Sequence, residues 1–233
     1  MSIEFSLCIP TMRRWSFLQT NLPRYLSNKY IKEIIICDET GEDYDILMTH
    51  YSENPKIKLF KNEQRLGPFL NKLSCMEKAT YNWICLMDSD NFADIDYFDA
   101  LQTFTNGDLS SNIVYCPSFA KPTFNYTEYS DLIVSKDNLK QYIDKPMFET
   151  CLNCMNYFVN KNAYCDVWDA TIDPVTSDSL FQNYNWLMSG KYIHIVHGLR
   201  YEHLVHNQSH YINNVQRTGD FREILIEKIR KLN

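Results

Sequence analysis

Asp88 and Asp90 end an apolar run, Trp83 to Met87, in the stretch WICLMDSDNF. Side chains two apart in a β-strand point the same way, so both acids are expected on one face at the carboxyl end of a buried strand. That is where open α/β sheets bind their ligands. Two acids on one side of a crevice repel each other and need a counter-charge, and a hard divalent ion bridging to substrate phosphates is the usual one. The alternative, two solvated turn acids beside Asn91, leaves unexplained why they terminate so apolar a strand.

The chain that must hold these acids has 233 residues, is 45% hydrophobic and carries a formal charge of -6. It is long enough for one large α/β domain with a sizeable core. The acidic balance argues against a nucleic-acid-binding surface, which normally needs clustered basic residues. No apolar run approaches the ~18 to 20 residues of a membrane-spanning helix. The start, MSIEFSLCIP, has no secretory pattern, so a cytoplasmic, reducing setting is expected and the sequons at Asn125 and Asn207 are idle. Cys8, Cys37 and Cys85 lie inside apolar runs and read as small buried hydrophobes. Cys151 and Cys154 have knuckle spacing but no second pair, and read as structural thiols.

Strands and helices alternate along the first half. Phe5 to Ile9 reads as a strand, and Trp15, Leu18, Leu22 and Leu26 as a helix that Pro23 should kink or divide. Glu33 to Cys37 is continuous enough in hydrophobicity for a parallel strand covered on both faces. Ile57 to Phe60 is a third strand, followed by a helix with a stripe of Phe69, Leu70, Leu73 and Met76, and then by the strand that ends in the two acids. This alternation predicts a doubly wound sheet with right-handed crossovers. Further on, the pattern predicts a helix over 96–104, a strand over 112–119, a long loop with a short helix over 121–145, an extended segment over 148–159, a helix over 180–188 stopped by Gly190, a strand over 192–196 and a closing helix over 221–232. RLGPFLNK sets the cations Arg65 and Lys72 and a glycine at a helix start, where backbone N–H groups favour an anion.

SLCIPTMRR, the IIICDET strand end, RLGPFLNK, LMDSDN, an acid before a helix ending in Gly, and YEHLVH, taken in that order, resemble a GT-A glycosyltransferase, and most closely glycosyltransferase family 2. The resemblance covers residues 3 to about 210. It implies a single GT-A domain over 1–233 with a mixed, mainly parallel sheet, a nucleotide-binding half over 1–100, an acceptor-binding half over 101–215 and a C-terminal helix over 216–233. It implies that Pro10 and Thr11 border the nucleoside with Arg13 or Arg14 nearby, and that Asp38 hydrogen-bonds the base. Asp38 and Glu39 also suit a turn cap with Gly41. Lys72 or Arg65 then meets the diphosphate. Asp90 is the implied direct ligand of Mn²⁺ or Mg²⁺, Asp88 a contact to the ribose or the ion, and His203, favoured over His206, a further ligand, in a segment followed by Ser209 and Tyr211.

An inverting family member needs a carboxylate just before a helix to take the proton of the acceptor hydroxyl, and Asp178 holds that place, with Asp173 in reserve. Asp178 also suits a plain helix cap. The expected reaction moves a sugar from a UDP- or GDP-sugar to a glycan hydroxyl. A sugar nucleotidyltransferase is the less suitable alternative, because CIPTMRR has no glycine. A dehalogenase-like phosphatase places its acid pair after the first strand, and a non-catalytic carbohydrate-binding domain is the reading outside enzymes. Phe119, Phe124, Tyr126 and Tyr129 offer rings for an acceptor sugar, or for the core.

Overall fold

A computed structural model describes residues 3–105, 109–204, 206 and 214–232. The first strand, β1 (Phe5–Thr11), is buried along its whole length, as a central parallel strand must be. It leads through α1 (Trp15–Ser27) to β2 (Ile31–Asp38), α2 (Glu42–Tyr51), β3 (Ile57–Lys61), α3 (Pro68–Glu77) and β4 (Trp83–Leu86). The strands line up as β3-β2-β1-β4, all parallel. The chain therefore winds outward from β1 to β3 and returns to the other side of β1. That reversal opens a crevice between the carboxyl ends of β1 and β4.

The second half continues the same sheet. It consists of α4 (Ile95–Thr105), β5 (Ile113–Lys121), β6 (Phe124–Asn125), β7 (Ile133–Val134), α5 (Leu139–Tyr142), α6 (Phe148–Leu152), β8 (Phe158–Asn160), α7 (Lys161–Cys165), α8 (Asp178–Met188), β9 (Tyr192–Glu202) and α9 (Val215–Arg230). Short β8 runs antiparallel to both β4 and β5 and joins the halves, and β5 then pairs parallel with β9. No helix among the described residues is long and apolar enough to cross a membrane.

Several elements differ from the sequence expectation. α2 was not foreseen, because only Asp43 and Leu47 of it are buried and it carries no apolar stripe to read. The segment over 148–159 is not extended throughout. It forms the helix α6, with Phe148, Cys151 and Leu152 buried, and only then the three-residue β8. The stretch over 121–145 holds the expected short helix, α5, and in addition β6, a 3₁₀ turn and β7. α1 runs undivided through Pro23.

One buried acid ties the layers together away from the crevice. Glu33 on β2 accepts Ser6 Oγ at 2.5 Å, Lys58 Nζ at 2.6 Å and the Thr80 amide at 2.5 Å. Burial pushes its carboxyl up, but Lys58, Ser6 and Thr80 outweigh burial and hold it below the ordinary carboxylate value. A carboxyl lowered in the folded state stabilises the fold above its unfolded pKa, and that contribution is lost as pH falls through the folded value. Glu33→Gln should therefore melt below the parent at neutral pH, with the gap closing between about pH 5 and pH 3. Melting curves across that range check this, and a gap that stays constant into acid would show that the charge does not matter.

Candidate active site

The crevice is a cleft of about 460 Å³, within the range of small-ligand sites. Pro10, Thr11, Met12 and Arg14 line it from the end of β1, and Asp88 to Asn91 line it from the end of β4. β4 stops at Leu86, so the two acids stand on a turn, closed by the Asn91 amide on the Asp88 carbonyl at 3.0 Å, rather than on the strand. The turn is held from three sides. Asn156 Oδ1 accepts the Asp88 amide at 2.9 Å, Asn91 Oδ1 accepts the Leu204 amide at 3.2 Å, and Phe92 bridges to Glu202 at the end of β9. Strand alternation thus does not orient the acids, and each reaches a different set of partners.

Asp88 faces Lys72. The Lys72 ammonium, on α3 and only 7% exposed, donates to Asp178 Oδ2 at 2.6 Å and stands 3.3 Å from Asp88 Oδ1. Burial works against this cation, but Asp178 and Asp88 overcome it and hold the ammonium well above its ordinary pKa. For Asp88 burial is the main cause and raises its pKa, with repulsion from Asp90 and Asp178 adding to it and Lys72 opposing. Asp178 is the first residue of α8, buried, and carried by a well-anchored helix. Asn183 donates to the Leu152 carbonyl at 2.6 Å, Gln182 to the Tyr164 carbonyl at 2.9 Å, and Ser177 Oγ to the Thr218 carbonyl of α9 at 3.2 Å. Just before it, Val175 lines the cleft with φ 57°, a left-handed conformation that costs a β-branched residue energy. The reserve candidate Asp173 is away from the cleft, exposed and 3.0 Å from Arg217.

Asp90 faces the His206 ring, with Nε2 at 2.9 Å, and the Arg14 guanidinium, with Nε at 3.6 Å. The histidine against this acid is therefore His206, whereas the sequence favoured His203. His203, directly after β9, stands on the cleft wall with its ring edge on Phe124, and its Nδ1 is buried with no hydrogen-bond partner among the described residues. Burial lowers its pKa, with Asp88 and Asp90 pulling the other way, so the ring has a lone pair to offer near neutrality. Among the described residues no three His, Cys, Asp or Glu side chains gather closely enough to hold a metal alone. Mg²⁺-like ions need no such cage, since one or two carboxylates, substrate phosphates and water suffice. Two cleft carboxylates and an orphaned imidazole nitrogen fit that requirement. Ser209 and Tyr211 lie outside the described residues.

The nucleotide side departs further from expectation. Asp38 is buried and outside the cleft lining, its carboxylate accepting the Thr40 amide at 3.2 Å and the Tyr44 amide at 2.9 Å, so it caps the start of α2. The neighbouring Glu39 lines the cleft instead. Its Oε2 accepts the Leu66 and Gly67 amides at 2.9 and 3.2 Å, which occupies the backbone donors expected to meet an anion. Arg65 is exposed and away from the cleft. Arg13 is exposed and paired with Glu42 at 2.8 Å, and it is Arg14 that lines the cleft. Asp43, which the sequence reading passed over, accepts Thr11 Oγ1 at 2.6 Å and the amides of Arg14 and Trp15 at 2.9 Å each. It fixes the turn that aims Arg14.

On the opposite wall, Glu149 of α6 and Arg222 of α9 form an ion pair, with Thr150, Asn153 and Thr176 beside them. Of the rings offered for an acceptor, Phe124 lines the cleft, while Tyr126 and Tyr129 are core.

Solved structures with this architecture include S. aureus TarS 1-349 in complex with UDP-GlcNAc, with TM-score 0.71 and 13% identity over 99% of this chain and 68% of that one. The same protein in complex with UDP gives TM-score 0.68 and 12% identity over 98% and 70%. The mannosyltransferase PcManGT from Pyrobaculum calidifontis, in complex with GDP-Man and Mn2+, gives 0.63 and 11% over 91% of this chain and 60% of that one. At such identities these likenesses show the fold, which is GT-A. No curated protein matches the chain. The model described as "Glycosyl transferase family 2" matches residues 6–168, from β1 through the acid turn to beyond α7. A match over so much of the sequence means that the chain belongs to glycosyl transferase family 2.

Proposed function

We propose that the cleft moves a hexose from a UDP- or GDP-sugar to an acceptor hydroxyl in one displacement, with inversion at the anomeric carbon. The observation that carries this reading is that Asp178 and the Asp88–Asp90 turn line one cleft and are linked through Lys72. Asp178 takes the proton of the attacking hydroxyl. Asp90 and Asp88, with His203 beside them, are the residues that would hold Mn²⁺ or Mg²⁺, which when bound neutralises charge on the departing diphosphate. Pro10, Thr11 and Arg14 border the nucleoside, and Glu39, rather than Asp38, has a carboxylate in the cleft that a base N–H could meet. The Glu149–Arg222 wall faces the acceptor. The relatives solved with UDP-GlcNAc and with GDP-Man and Mn2+ support this donor class and this cation. All eight cysteines are free thiols, which supports a reducing, cytoplasmic setting, and the continuous sheet supports one domain of two halves.

Calorimetric titration with UDP-, GDP- and TDP-sugars, with Mn²⁺ and then with chelator, tests the proposal. Binding of at least one sugar nucleotide, strengthened by the metal and followed by slow donor hydrolysis, is expected. If no sugar nucleotide binds in the presence of Mn²⁺, the reading is wrong.

A further inference from the structure

We infer that Lys72 is a latch on Asp178: in the free protein its ammonium holds that carboxylate, and a nucleoside diphosphate arriving at the Asp88 side of the cleft draws it away. This rests on the proposed function and adds an order to it, because the acceptor's proton is taken more readily once the donor has bound. Lys72 is the cation shared by the two chemistries. Its Nζ lies 2.6 Å from Asp178, on the acceptor-activating side, and 3.3 Å from Asp88, on the phosphate side. So short an ammonium bond takes up one Oδ2 lone pair and stabilises the carboxylate's charge, which opposes transfer of a hydroxyl proton to it.

Among the described residues the other cations lining the cleft are engaged elsewhere, Arg14 on Asp90 and Arg222 on Glu149. Lys72 can move while its helix stays still. α3 is pinned to the strand ends by Asn71, which donates to the Cys37 carbonyl at 3.1 Å, whereas a lysine head is a point charge with three donors on a flexible stem. Re-aiming that head costs a hydrogen bond to Asp178 and gains one to phosphate, with no change of backbone. Lys72 is in this sense a positioning residue for Asp178 as well as a phosphate contact.

Linkage makes the latch testable without turnover. If diphosphate binding must pull Lys72 from Asp178, then removing the Asp178 charge must tighten diphosphate binding by the same coupling. UDP and GDP, each with fixed Mg²⁺, are titrated calorimetrically into the parent protein, Asp178→Asn, Lys72→Met and the double variant. Asp178→Asn should bind about 5-fold or more tightly than the parent, Lys72→Met about 10-fold more weakly, and the double variant no more tightly than Lys72→Met. Loss of a nearby negative charge alone would tighten binding in both backgrounds. A gain that survives Lys72→Met, or no gain in Asp178→Asn, overturns the latch. Should Lys72→Met fail to fold, Lys72→Gln keeps a donor between the two acids and takes its place in the cycle. If neither nucleotide binds the parent or any variant, the sugar-nucleotide reading itself falls and the latch falls with it. Binding without coupling rejects the latch alone.

Discussion

Asp178→Asn is expected to lower sugar transfer about 10²- to 10⁴-fold, the range that a general base contributes, while the protein stays folded and still binds nucleotide. The fold should survive because asparagine is isosteric and its amide oxygen can still accept from Lys72, and because α8 is held by bonds that do not involve residue 178. Those include Asn183 to Leu152, Leu180 to Asn153 at 3.1 Å, and the fully buried Trp186, whose ring N–H reaches the Tyr192 carbonyl at 2.7 Å. Transfer should fail because an amide cannot accept the hydroxyl proton as the carbon–oxygen bond forms. The loss should appear in kcat, with a donor KM that falls rather than rises, since the proposed role of Asp178 is toward the acceptor and loss of its charge leaves Lys72 to the phosphates. Steady-state rates on any acceptor found for the parent check this. A variant that keeps a tenth or more of the parent turnover removes Asp178 from the role, and Asp173 cannot inherit it from its exposed position beside Arg217.

What the sequence made legible follows from which forces are local. Ile34 to Cys37 announce a covered parallel strand because a strand buried on both faces must be apolar throughout, and β2 is buried from Glu33 onward. The acid turn after β4 was legible for the same reason, as charge directly after a dry strand. Its geometry was not. Asp88 and Asp90 are presented by a turn whose shape depends on Asn156 and Glu202, residues about 70 and 110 positions away. The Lys72–Asp178 contact joins residues 106 apart and is invisible to any local pattern. Asp38 and Glu39 near Gly41 were legible and Asp43 was not, and which of the three caps, lines or pins depends on how α2 sits, while α2 has too little buried apolar surface to be seen.

Replacing Asp90 with Asn should give the other large effect, a fall in transfer of about 10³-fold or more, because stabilisation of the departing diphosphate by a cation is worth several kcal/mol. The informative signature lies in binding. In the free protein Asp90 holds His206 and Arg14. Without its charge, Arg14, which lines the cleft, is held less firmly away from the phosphates, so UDP or GDP should still bind Asp90→Asn in the absence of metal. The strengthening of that binding by Mn²⁺ should disappear, since the carboxylate that would share the ion with the phosphates is gone. Asp88→Asn serves as contrast. It leaves Lys72 with Asp178 as sole acid partner and should weaken metal-dependent binding without abolishing it. Titrations of each variant with and without Mn²⁺ decide the matter. Unchanged metal dependence in Asp90→Asn would mean that the ion is held elsewhere and that Asp90 serves only to orient Arg14 and His206.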